Sequence, residues 1–64
     1  MLKNRLKEQR EMLGMTQEEL SEKSGVARTI ISKIETNQKV DCKLSTLIAL
    51  SNALKQPISN IFLL

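Results

Sequence analysis

Aromatic residues are almost missing from this 64-residue chain, which has no Trp, no Tyr and a single Phe. One ring cannot build the stacking platform that single-stranded nucleic acid needs. His is absent as well, which removes the commonest general base and metal ligand. The one Cys, Cys42, can neither close an intrachain disulfide nor complete a zinc site by itself. A lone thiol suits a reducing compartment, so a cytoplasmic location is expected. No apolar run approaches the ~18 residues that a membrane span requires. Lys3, Arg5, Lys7, Glu8, Arg10 and Glu11 also interrupt any apolar leader at the N-terminus. No nucleophile–base pair, metal-ligand cluster or phosphate-binding loop can be found, so neither catalytic residues nor a metal or cofactor are expected.

What is present fits one small globular domain covering residues 1–64. The hydrophobic share of 41% and charged share of 27% are ordinary for such a domain. At this length only about 60% of the unfolded chain's surface is buried on folding, which invites a second subunit or a ligand. The net charge of +3 is unevenly spread. Residues 1–15 are net basic, residues 16–25 are net acidic through Glu18, Glu19 and Glu22, and residues 26–43 are net basic again. Two basic blocks flanking an acidic one are compatible with a polyanionic partner.

Apolar residues recur at helical spacing, and no alternating β-branched run occurs. The expected fold class is all-α, with five short helices and no strands. Helix one runs from about Leu2 to Leu13, with Leu2, Leu6 and Leu13, and Met12 alongside, expected to form an apolar stripe, and stops at Gly14. Thr16 and Glu19 have the spacing of a capping box, so helix two starts there and ends near Ser24, with Gly25 turning the chain. Helix three covers about Arg28 to Glu35. A polar loop follows, then helix four from about Leu44 to Leu54, and Pro57 opens a last short helix through Ile58, Ile61 and Phe62.

Helix three carries the most information. With about 100° per residue, Ile30, Ile31 and Ile34 fall within about 100° of one another. Arg28, Thr29, Ser32, Lys33 and Thr36 occupy the other side. An isolated basic face of this kind would be read as solvated surface. Here it follows a short helix and a tight glycine turn, which is the helix-turn-helix arrangement. The first helix of such a pair braces the second, which must be slim and polar enough to enter a groove ~12 Å wide.

Residues 16–35, TQEELSEKSGVARTIISKIE, resemble the phage-repressor and Cro-like (XRE-type) helix-turn-helix family. Gln17, Ser21, Gly25, Val26, Ile31 and Ile34 stand at that family's spacings, and the likeness extends from Leu6 and Arg10 to Ile61. Ser21 replaces the usual Ala, Ala27 a capping Ser or Thr, and Asn37 a frequent Gly. The loop to Leu44 is one residue longer than usual and lacks the common Pro. The resemblance implies a compact, lambda-repressor-like domain, its motif at about residues 16–36, that binds double-stranded DNA as a transcriptional regulator, a repressor or autoregulator. It implies that Arg28, Thr29, Ser32 and Lys33 meet base edges, with Ala27 near a thymine methyl. Gln17, Thr36, Asn37, Lys39 and Lys43 are implied to approach phosphates. Arg10 and Glu35 are implied to pair inside the domain.

The terminal Ile58, Ile61, Phe62, Leu63 and Leu64 exceed what a small monomer easily covers. Of two readings, capping a small core or joining a second copy, the expected one is a homodimer interface, which would set two recognition helices about 34 Å apart on a palindromic site. An alternative, from another class, is an antitoxin or other protein-interaction module that uses the same fold to hold a protein partner.

Overall fold

The computed structural model describes residues 3–63, without the side chains of Lys3 and Leu63. Five helices form as expected: α1 (Leu6–Met12), α2 (Gln17–Ser24), α3 (Arg28–Glu35), α4 (Leu44–Leu54) and α5 (Ile58–Ile61). The structure adds a two-stranded antiparallel ribbon absent from the sequence reading. Strand β1 (Lys3–Asn4) pairs with β2 (Phe62–Leu63) in the register Lys3 with Leu63 and Asn4 with Phe62. The Arg5 N–H continues it by donating to the Ile61 carbonyl at 2.6 Å. The two ends of the chain are thereby joined. Helix one is thereby shorter than expected, because Lys3 and Asn4 are drawn into β1 and α1 begins only at Leu6; Leu2 itself, and Leu64 of the expected dimer surface, lie outside the described residues.

Local chemistry accounts for the helix boundaries. The Glu19 N–H donates to Thr16 Oγ1 at 3.1 Å and the Thr16 N–H donates to Glu19 Oε1 at 3.0 Å, so two orphan donors of α2 are satisfied reciprocally. The hydrogen bond from the Thr16 backbone to the Glu19 carboxylate, and next the Thr16 side chain, lower the Glu19 pKa. At the other end Gly25 takes φ +73°, and its N–H closes the helix on the Ser21 carbonyl at 2.9 Å. Helix α3 has no side-chain cap at Ala27. Its start is instead held by hydroxyls across the turn. Ser21 Oγ donates to the Val26 carbonyl at 2.6 Å, and the Val26 N–H donates to Ser24 Oγ at 3.1 Å. Ser21, the departure from the family pattern, thus acquires a bond that Ala could not make.

The core comprises Leu6, Leu20, Val26, Ile31, Ile34, Leu47, Leu50, Leu54, Ile61 and Phe62. Helix α2 packs on both α3 and α4, and α1 packs on α3. Met12 departs from the expected stripe and is 72% exposed. It stands about 240° round α1 from Leu6, whereas Arg10 takes the inward position one turn on. Leu13 lies past the last helical residue, in the turn, and is exposed too. The loop after α3 alternates, with Val40 and Cys42 half-buried against the core and Lys39, Asp41 and Lys43 exposed. Among the described residues no helix is long and apolar enough to cross a membrane.

Candidate nucleic-acid interface

The inner side of α3 is anchored by the buried Ile31 and Ile34, with Ile30 packed beside them. That anchoring turns Arg28, Thr29 and Lys33 to solvent, together with Ala27 just ahead of the helix, while Ser32 is half-buried. The structure therefore brings Arg28, Thr29, Ser32 and Lys33 onto one short helix, with Ala27 at its N-cap. Arg offers a planar fork of donors that suits a guanine edge, whereas Lys offers a point charge.

The expected phosphate residues separate into two groups. Gln17 opens α2 and is half-buried, and its Nε2 donates to Glu35 Oε1 at 3.0 Å. This bond sets Gln17 beside the C-terminal end of α3, where Thr36 and Asn37 follow. Thr36 is exposed, yet its hydroxyl donates to the Ser32 carbonyl at 2.8 Å and accepts from Gln38 Nε2 at 2.9 Å. Asn37 takes φ +58°, the left-handed geometry that Asn tolerates. Its N–H donates to the Ile34 carbonyl at 3.1 Å and the Gln38 N–H donates to the Lys33 carbonyl at 2.8 Å, which closes α3. Lys39 and Lys43 form the second group, exposed along the loop.

Beneath the surface, Arg10 and Glu35 pair as the resemblance implies. Arg10 Nε donates to Glu35 Oε2 at 2.8 Å and Arg10 Nη2 donates to Glu35 Oε1 at 3.1 Å, a two-pronged arrangement. The side chains are 10% and 2% exposed, respectively. Arg10 Nη1 also donates to the Met15 carbonyl at 2.6 Å. The hydrogen bond to Glu35 raises the Arg10 pKa against the opposing effect of burial.

Asn4 was not a sequence-derived candidate. Its Nδ2 donates to the Ile34 carbonyl at 3.0 Å, while its Oδ1 accepts the Leu6 N–H at 3.0 Å. One side chain thus ties the end of α3 to the start of α1. The only trace in the sequence is an Asn two residues ahead of an apolar-periodic segment, where such side chains cap helices.

The expected dimer surface is corrected by the packing. Ile61 is 0% and Phe62 1% exposed, because α5 packs on α4 and β2 pairs with β1. Ile58 is half-buried against the same core. Large apolar side chains do stand exposed on α4, at Leu44 and Ile48, four residues apart.

Among the described residues no group of acidic, His or Cys side chains could hold a metal ion. Residues 6–61 match the model of a helix-turn-helix family. No curated protein matches the chain.

Proposed function

This chain belongs to the Cro-like, XRE-type helix-turn-helix family of DNA-binding regulators, and from that premise we propose that it is a sequence-specific repressor or autoregulator working in the cytoplasm. It reads the major groove of double-stranded DNA with α3. The observation that carries this reading is the division of α3 into a buried aliphatic side and an exposed side bearing Arg28, Thr29 and Lys33. Gln17, Asn37, Lys39 and Lys43 would contact phosphates and set the register, which leaves sequence discrimination to α3.

The protein acts as a homodimer on a two-fold site. Two domains with extents of 25 × 22 × 19 Å can lie side by side with equivalent helices in major grooves about 34 Å apart. The exposed Leu44 and Ile48 favour α4 as the contact, since that eleven-residue helix carries no charged side chain while the chain as a whole is +3. A second reading, a module that holds a protein partner, draws on the adjacent exposed Met12 and Leu13.

The test is enrichment from a pool of random duplexes, followed by titration of the enriched duplex and a scrambled one across a salt series. Preference for the enriched duplex is expected, with a negative log–log salt slope. Arg28→Ala/Lys33→Ala should lose that preference, at about 1–3 kcal/mol for a bidentate base contact. Equal, weak binding to both duplexes, unchanged by the substitutions, would overturn groove reading by α3.

A further inference from the structure

A carboxylate accepts hydrogen bonds and donates none, whereas a primary amide has two N–H donors on one nitrogen and an acceptor on the other side. The Glu35 carboxylate receives three donors. Oε2 accepts from Arg10 Nε at 2.8 Å, and Oε1 accepts from Arg10 Nη2 at 3.1 Å and from Gln17 Nε2 at 3.0 Å. Because Glu35 cannot donate, it admits only the nitrogen end of the Gln17 amide. The second N–H of that nitrogen then diverges from Glu35 at the first turn of α2, where backbone donors and the helix dipole already favour an anion.

We propose that Glu35 is a positioning residue for DNA binding: it holds the Gln17 amide with its remaining N–H presented to a backbone phosphate. This rests on the reading of Gln17 as a phosphate contact. A freely turning amide would offer its carbonyl oxygen half the time, and that oxygen repels a phosphate. Arg10 has a matching part. It neutralises Glu35, so the carboxylate can serve as an orienting acceptor close to the DNA without repelling it. Its third contact, from Nη1 to the Met15 carbonyl at 2.6 Å, ties the same guanidinium to the residue preceding the α2 cap. The ion pair therefore acts on affinity through Gln17 as well as holding helices together.

The experiment scans single neutral methylphosphonate substitutions around the enriched duplex, using wild type, Gln17→Ala and Arg10→Met/Glu35→Met. The double variant replaces the ion pair by apolar side chains, a change that folded proteins commonly tolerate. Circular dichroism confirms that each variant is folded at the titration temperature. Wild type should lose affinity about ten- to hundredfold at one phosphate per half-site, the cost of a charge-assisted hydrogen bond. Gln17→Ala should be insensitive there, and the double variant should match it while keeping its response at other phosphates and its base preference. Glu35→Gln, whose carbonyl still accepts from Nε2, should retain the response. A double variant with the full wild-type response at the Gln17 phosphate would overturn the positioning role. A Gln17→Ala protein with wild-type sensitivity at every phosphate would instead remove the contact on which the proposal rests.

Discussion

Glu35→Ala is expected to cost more than the ion pair itself contributes to stability. In the native protein the Glu35 side chain is 2% exposed and faces an Arg10 that is 10% exposed, with bonds of 2.8 and 3.1 Å between them. Removing the carboxylate strands a guanidinium that retains only its 2.6 Å bond to the Met15 carbonyl among these contacts. Leaving one member of a buried pair uncompensated costs about 3–5 kcal/mol. A domain of 64 residues has a total stability of only about 3–10 kcal/mol. At about 4–8 °C per kcal/mol for a domain this size, Tm should fall by at least about 12 °C. Arg10→Met/Glu35→Met should recover most of the loss, since no charge is then left without a partner. Thermal melts followed by circular dichroism, backed by urea titrations that check for a constant m-value, would measure both. A single variant that loses less than about 1 kcal/mol, or a double variant no more stable than the single, would refute the reasoning.

Backbone geometry supplies a pair of opposite expectations. Gly25→Ala should destabilise by about 1 kcal/mol, because φ is +73° although a Cβ there would meet nothing within 4 Å. Lys55→Gly should stabilise by up to about 1 kcal/mol, because Lys55 ends α4 at φ +55°. Thermal melts with opposite signs would bear this out, and two shifts of the same sign would contradict it. Thr16→Ala should cost about 1 kcal/mol through loss of the capping box. With the Glu19 pKa lowered in the folded protein, the stabilisation is present above its unfolded-state value and is lost as pH falls through the folded-state value. Melts between pH 7 and about pH 3 should therefore show a smaller acid loss in Thr16→Ala than in wild type; equal losses would argue against it. Burial, and next the charge of Asp41, raise the Cys42 pKa, so at about pH 8 the thiol should alkylate more slowly in the folded protein than in urea. An equal or faster rate in the folded state would refute this.

What the sequence made legible were the features whose causes lie within one turn of chain. Thr16 with Glu19, Gly25 after Ser24, and the three isoleucines of α3 each act on near neighbours, and each stands where expected. The features that were missed depend on residues far apart in sequence. Two residues per strand are too few to show a period, and the β1–β2 pairing joins positions 3 and 63, so nothing local announces it. The same closure explains Ile61 and Phe62. A terminal apolar run looks like surplus surface until α5 packs on α4 and β2 pairs with β1. Met12 and Leu13 were misjudged because α1 ends at Met12 and gives its inward position to Arg10. The Arg10–Glu35 pair was reachable through the family resemblance. The Gln17 bond to Glu35 was not, since it depends on how α2 packs against α3.

That bond separates the two tasks of the interface. Arg28, Thr29 and Lys33 are exposed, and substitutions at such positions usually change stability by no more than about 0.5 kcal/mol. On the proposed reading, base preference can therefore change at these positions while the fold stays the same. Gln17 has no such freedom. Its amide is bonded to a carboxylate already paired with Arg10, so a change there removes a bond between the start of α2 and the end of α3. On the proposed reading, the phosphate contact of Gln17 is thus coupled to the stability of the domain, whereas the side chains that discriminate sequence are not. A helix can be re-specified on its outer face only if its seat on the DNA stays constant, and the role proposed for the Arg10–Glu35–Gln17 network would couple that seat to folding.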